Sequence, residues 1–168
     1  MFSVLVADPP WPFGDKLHGE YERGAEHHYQ ILSMKRIRAF PLPPLTDDAT
    51  LFLWRVASMQ EEALSVIRAW NFTLKTELVW VKKTVHGNRH FGMGRTVRAE
   101  HETCLIAVRG KPKTLDLSVR STFEAMVGRH SEKPEAFYKI VEQLRAGPYY
   151  ELFARRRRDR WTCEGDEL

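Results

Sequence analysis

The residues of this chain best suited to chemistry are Asp8-Pro9-Pro10-Trp11. They follow Phe2 to Ala7, a short apolar, β-branched run that reads as a buried strand of a parallel sheet. Two prolines lack backbone N–H groups and cannot continue a ladder, so the chain leaves the sheet here. A carboxylate, two fixed φ angles and an indole therefore stand at the carboxyl edge of a strand, where open α/β sheets bind ligands. Asp8 and the turn's peptide carbonyls could together accept both hydrogens of an exocyclic amine. Trp11 would offer a flat face to a base, a contact worth about 1–3 kcal/mol. Adenine N6 is a poor nucleophile because its lone pair is delocalised into the ring. Two acceptors holding its hydrogens would draw the nitrogen toward tetrahedral geometry, which suits the grouping to methylation of adenine. The same four residues also suit a strand that merely ends in a proline turn with a surface Trp.

Other reactive residues are less informative alone. His27 and His28 are adjacent, but no third ligand lies at a metal-binding spacing, so they read as solvated or substrate-contacting, and no metal site is expected. Gly92-Met93-Gly94 lacks the strand-to-helix context of a phosphate loop. Lys82, Lys83, Arg89, Arg95 and Arg98, before and within the second irregular segment, Thr84 to His101, flank the candidate site and suit contact with a polynucleotide backbone or a solvated loop. Glu102 is a second carboxylate for a substrate pocket, or a loop carboxylate pairing with an arginine. The run Arg155 to Arg160 reads as a nucleic-acid patch or a solvated face.

The tetrapeptide resembles the DPPW motif of the MT-A70 family, the S-adenosylmethionine-dependent adenine-N6 methyltransferases. Leu51-Phe52-Leu53-Trp54, Glu77 to Lys82, His101-Glu102, Arg109-Gly110-Lys111-Pro112, His130-Ser131-Glu132-Lys133-Pro134 and Glu151-Leu152-Phe153-Ala154-Arg155 resemble its later blocks in the same order. The resemblance covers nearly the entire chain. It implies a Rossmann-like methyltransferase fold with the catalytic block before the cofactor block, and S-adenosyl-L-methionine as cofactor. By the same resemblance Lys133 meets the cofactor's methionine carboxylate. The segment after Glu151-Leu152-Phe153 folds over the cofactor, which makes Glu151, Phe153, Arg155 and Arg158 pocket candidates beside Asp8 and leaves Arg156, Arg157 and Arg160 for phosphate contact. Gly165-Asp166-Glu167 stands where the family has Gly-Asn-Glu, so Asp166 and Glu167 would accept hydrogens from ribose hydroxyls. Tyr29 is a substrate-contact candidate although Gln30 replaces the family's proline beside it.

The elements that must carry these residues are legible in outline. At 168 residues, 43% hydrophobic and 29% charged, the chain reads as one domain, residues 1–168, with a substantial core. A net charge of +4 favours an anionic partner. Cys104 and Cys163 read as reduced cysteines of a cytosolic protein, in a bacterial or virus-infected cell, and no apolar stretch is long enough for a membrane span or secretory leader. Pro12 to Tyr29 reads as a loop that closes over the site. Ser33 caps a short helix to Phe40, Thr50 to Trp54 is a strand, and Ser58-x-x-Glu61 is a capping box opening a helix to Trp70 that Asn71 closes. Thr73 to Lys83 and Thr103 to Val108 read as strands, as does Glu124 to Val127. Pro134 opens a helix with Phe137, Ile140, Val141 and Leu144 on its buried face, and Tyr149 to Ala154 is a last strand. The β-α-β-α-β order implies a mostly parallel sheet with helices on both faces.

The implied reaction is direct displacement of a sulfonium methyl by adenine N6, with Asp8, Pro9, Pro10 and Trp11 gripping the amine and the base either flipped or single-stranded. The small size and the absence of any zinc-finger or other targeting domain favour a compact DNA enzyme. An RNA methylase, or a non-catalytic nucleic-acid-binding relative, remains the alternative. A homodimer would enlarge the surface available to a duplex. Charge reversal at Arg95 and Arg98 should weaken nucleic-acid binding and flatten its dependence on salt, by about one unit of log–log slope for each phosphate that is no longer neutralised. A titration at several salt concentrations checks this, and unchanged affinity removes the assignment.

Overall fold

A computed structural model of the chain describes residues 1–12, 31–92, 96–128, 132–165 and 168. Strand β1 (Phe2–Ala7) lies inside a seven-stranded sheet, and its last four residues are buried. It pairs in parallel with β2 (Leu45–Arg55) on one side and with β6 (Tyr149–Leu152) on the other. The sheet order is β5 (Thr122–Met126), β3 (Thr73–Lys83), β4 (His101–Arg109), β2, β1, β6, β7 (Trp161–Glu164). Only β4 is reversed: it pairs antiparallel with both β2 and β3, while β3–β5 and β6–β7 are parallel. The expected mostly parallel sheet is present, but β2 and β3 are not neighbours. The chain returns from β3 without a helix, so β4 can pair antiparallel and fill the space between them.

Period-2 alternation assigns side chains to two core layers. Leu51, Leu53, Leu5, Ala7, Leu105 and Ala107 pack with α1 (Met34–Arg38) and α2 (Gln60–Ala69) on one face. Phe52, Trp54, Val4, Val6, Leu78, Trp80, Cys104 and Ile106 pack with α3 (Glu135–Leu144) on the other. Helices therefore cover both faces, as the sequence predicts.

Several boundaries differ from the sequence reading, each for a physical reason. The Ser58 capping box does not form: Met59 is the N-cap and no side chain caps the helix. Met59 is buried and its N–H donates to the Val56 carbonyl at 3.0 Å, so core packing and a tight turn set the helix start one residue later. Pro134 is the N-cap of α3 and not its first helical residue. Ser33 does cap α1, accepting from the Arg36 N–H at 3.3 Å. Strand β6 stops at Leu152 because Phe153 turns at φ 61°. The Ala154 N–H then donates to the Glu164 carbonyl at 2.9 Å, which binds the chain's end back as the edge strand β7, unforeseen from the sequence.

Phe137 fastens α3 to the sheet: it is fully buried, with ring centroids 4.8 Å from Trp54 and 6.2 Å from Phe52. Phe137→Ala should cost about 3–5 kcal/mol of folding free energy, read as a lower urea midpoint. A loss below about 1 kcal/mol would show that α3 is held by other contacts.

Candidate active site

The reversed direction of β4 decides what gathers at the rim. Because β1, β2 and β3 end where β4 begins, Asp8, Arg55, Lys82 and Glu102 come to one edge of the sheet. Lys133, just before α3, reaches the same edge. Its Nζ lies 2.9 Å from Asp8 Oδ2 and 2.9 Å from Glu102 Oε2, and Lys82 Nζ lies 2.5 Å from Glu102 Oε1. The result is an alternating chain, Lys82–Glu102–Lys133–Asp8. Each ammonium also stands over an indole: Lys133 is 4.9 Å from the Trp54 ring centre and Lys82 5.3 Å from that of Trp80. The two indoles meet edge to face at 6.4 Å.

Electrostatics keep Lys133 and Glu102 charged. Burial works against the Lys133 ammonium, but Asp8 and Glu102 outweigh it and raise its pKa above 10.5. Burial likewise opposes the Glu102 carboxylate, yet Lys133 and Lys82 hold its pKa below 4.5. Burial pushes the Cys104 thiol far up, so this cysteine is an unreactive core residue and not a nucleophile.

A cavity of about 610 Å³ opens on this chain of charges. Asp8, Pro9, Pro10, Trp11, Glu102, Lys133 and Arg155 line it, so seven of the residues singled out from the sequence meet at one place. Arg55, Val56, His101 and Lys82 line it too. Sequence reasoning misses the first three as site residues, although position at a strand end could flag Arg55 and Val56. It offers Lys82 only as a phosphate contact.

Other assignments change. Trp11 is only 3% exposed and its indole N–H donates to the Trp54 carbonyl at 3.1 Å. It is a wall of the cavity fixed by the core and not a surface face free for stacking. The Pro9 carbonyl already accepts from the Trp11 N–H at 2.8 Å and that of Pro10 from the Leu32 N–H at 3.1 Å, which leaves one lone pair on each. Glu151 and Phe153 are not in the cavity wall. Glu151 is buried and accepts from the Tyr138 hydroxyl at 2.6 Å, its pKa raised by burial, and Phe153 packs on Phe40 at 4.7 Å. Arg158 lies 3.4 Å over the Tyr138 ring and 2.5 Å from Glu135.

Two of the arginines offered for phosphate contact, Arg156 and Arg160, have acidic partners in the fold. Arg156 pairs with Glu132 at 2.9 Å and Glu135 at 3.0 Å, and Arg160 with Glu142 at 3.3 Å, so the run clasps the β6–β7 connection onto α3. Lys82, Lys83 and Arg89 likewise have acidic partners, in Glu102, Glu124 and Glu100. The sequence shows the cations but not the carboxylates that the fold sets against them. Arg98 is exposed just ahead of β4, outside the cavity wall. Tyr29, Arg95, Asp166 and Glu167 lie outside the described residues, as do His27 and His28.

The MT-A70 family model matches residues 2–167, nearly the whole chain and every element that builds the rim. The chain belongs to the MT-A70 family. Among relatives, it is 32% identical to the N(6)-adenosine-methyltransferase MT-A70-like protein of Drosophila melanogaster and 30% identical to the human N(6)-adenosine-methyltransferase catalytic subunit METTL3. Each match takes in 99% of this chain but only 27% and 28% of those proteins, so the chain spans about a quarter of their length. It is 29% identical to the type II methyltransferase M.MunI of a Mycoplasma species, over 99% of this chain and 78% of that protein. The three-layer sheet described above is the Rossmann-like arrangement of this MT-A70 chain. Among the described residues no acidic, His or Cys cluster could hold a metal, and no helix is long and apolar enough to cross a membrane.

The donor set of the cavity fits the amino-acid end of S-adenosylmethionine. Lys133 complements a carboxylate, and Asp8 and Glu102 complement an ammonium or sulfonium. Removing Lys133 would take away the ammonium between Asp8 and Glu102 and leave Lys82 on one oxygen of Glu102. Lys133→Met should therefore destabilise the fold at pH 7 by on the order of 3 kcal/mol. The sign with pH follows from the shifts. Glu102, depressed in the fold, contributes stability above its ordinary pKa and loses it as pH falls through the lower folded value. Lys133, raised, contributes fully below pH 10.5 and loses it only as pH rises past the folded value. The variant's deficit should thus shrink below about pH 4 as Glu102 protonates. Urea midpoints from pH 3 to 8 check this, and a deficit independent of pH would contradict it.

Proposed function

We propose that this protein transfers a methyl group from S-adenosyl-L-methionine to the N6 amino group of adenine in DNA. The observation that carries the reading is the carboxylate of Asp8 in the cavity wall, held by a buried lysine beside a proline-stiffened turn. Asp8, Pro9 and Pro10 line one cavity, so the carboxylate and a remaining carbonyl lone pair are the acceptors available there to an amine's hydrogens. S-adenosylmethionine, when bound, supplies an electrophilic methyl on sulfur.

The chain's own work is positioning. Asp8 accepts one amine hydrogen and orients the nitrogen lone pair. It need not be a strong base, because the amine becomes acidic as its nitrogen gains the methyl. Lys133 turns its ammonium toward the cofactor's carboxylate, which frees an Asp8 oxygen for the amine. Trp11, Pro9 and Pro10 form a rigid apolar wall that excludes water from the reacting nitrogen. A base stacked inside a duplex cannot enter such a cavity, so the substrate adenine is flipped out or single-stranded.

DNA is favoured by the match to a type II methyltransferase, which takes in 78% of that protein against about a quarter of the adenosine methyltransferases. RNA is the second reading, since the relatives named as adenosine methyltransferases are as similar over the same residues. Asp8→Ala should lower methyl transfer by about 100-fold or more, while calorimetry still detects cofactor binding. Mass spectrometry of nucleosides from DNA and from RNA, after incubation with enzyme and S-adenosylmethionine, reads product and polymer together. Full activity of Asp8→Ala would overturn the role of Asp8, and methylation confined to RNA would overturn the DNA assignment.

A further inference from the structure

Lys133 has two carboxylate partners, but Glu102 has two lysines. That asymmetry matters once Lys133 is asked to move. Glu102 lies largely out of water, and a carboxylate there without a cation is costly. If Lys133 were its sole partner, every anion that drew Lys133 away would strand Glu102.

Lys82 is built to prevent this. Its backbone is pinned on both sides, the N–H donating to the Glu100 carbonyl at 2.8 Å and the carbonyl accepting from the His90 N–H at 3.0 Å. In the β3–β4 register Trp80 faces Glu102, so Lys82, two residues on, reaches Glu102 along the diagonal of the same face. Its ammonium rests over the Trp80 ring, and Glu102 Oε1 is 2.5 Å away, on the oxygen that Lys133 does not use. The two lysines thus hold separate oxygens of one carboxylate. One can leave without disturbing the other.

We propose that Lys82 is a positioning residue: it retains Glu102 in the cavity wall, charged and in place, when Lys133 turns to a ligand's anion. The inference rests on the reading of Lys133 as the ligand's carboxylate partner. Lys82 touches neither cofactor nor base in this role and acts through Glu102. Without it, Glu102 would either hold Lys133 back or take up a proton on ligand binding. Cofactor affinity would then fall and acquire a pH dependence that the unaltered chain lacks. Among the described residues, the other titratable or charged groups around Glu102 are Lys133 and Asp8 from the neighbouring elements, His101 beside it on β4, and Arg55 and Arg155 in the cavity wall. All of them are present in wild type and variant alike, so the ratio of the two affinities isolates Lys82.

The test is calorimetric titration of S-adenosylmethionine into the wild-type, Lys82→Met and Lys82→Arg proteins between pH 5 and 8. For Lys82→Met the dissociation constant should exceed the wild-type value about tenfold at pH 8, the effect of one unit of displaced pKa. The ratio should fall toward one at pH 5, where a proton replaces the missing ammonium. Lys82→Arg should restore a ratio near one throughout. A ratio equally poor at every pH, as a packing defect gives, overturns the proposal, and so does an arginine variant as impaired as the methionine one. A second measurement needs no cofactor: the Glu102 carboxyl carbon, followed by NMR, should titrate about one unit higher in Lys82→Met. An unmoved midpoint overturns the proposal. Should the wild-type chain take up no S-adenosylmethionine, the cofactor reading falls, and the carboxyl titration alone then upholds or overturns the hold of Lys82 on Glu102.

Discussion

The interaction on which the site depends is the buried ammonium of Lys133 between two carboxylates. Asp8 and Glu102 come from β1 and β4, strands separated in the sheet by β2. Two anions at one poorly hydrated rim would repel each other, and the lysine between them makes the approach favourable. The same cation ties the turn after β1 to the start of α3. The turn after β1, the start of β4 and the entry to α3 are therefore joined through one nitrogen. A group that neutralises two carboxylates while ligand-free also has somewhere to go when a third anion arrives, which suits it to a binding site better than a neutral bridge would.

Around that nitrogen the aromatic layer does the positioning. Trp54 and Trp80 stand edge to face, each beneath a lysine, and Phe137 of α3 packs against Trp54. Large rigid rings on β2 and β3, meeting across β4, leave the lysine stems few conformations, so the ammonium positions follow from the core packing. On the far side the arginines of the β6–β7 connection grip the acidic face of α3. These exposed pairs contribute little stability singly. Several on one short connection nonetheless fix the course of the chain from β6 to β7.

Parts of this are legible from residue types. The apolar run before Asp8 and the prolines after it mark a strand tip, and the helical spacing of Phe137, Ile140, Val141 and Leu144 marks a buried helix face. Local pattern suffices in such cases because hydrophobic period and proline chemistry are properties of neighbouring residues. The arginine run shows where it fails. Arg156 and Arg160 look the same in sequence whether they meet phosphate or Glu132, Glu135 and Glu142, since those partners are separated from them by β6 and its flanking turns. Trp11 misleads in the same way: its exposure depends on the Trp54 carbonyl, 43 residues away.

By itself, then, the sequence determined the strand tip with its acidic corner, the alternation that makes two core layers, and the family through the order of its blocks. Only the tertiary structure decided that β4 runs backward between β2 and β3, which brings Glu102 to the rim where β1 and β3 end. It also decided which cations are engaged and which oxygens they hold. The reason is physical: backbone pattern is set by neighbours in the chain, whereas the charge on a side chain acts on whatever the folded sheet brings within a few ångströms.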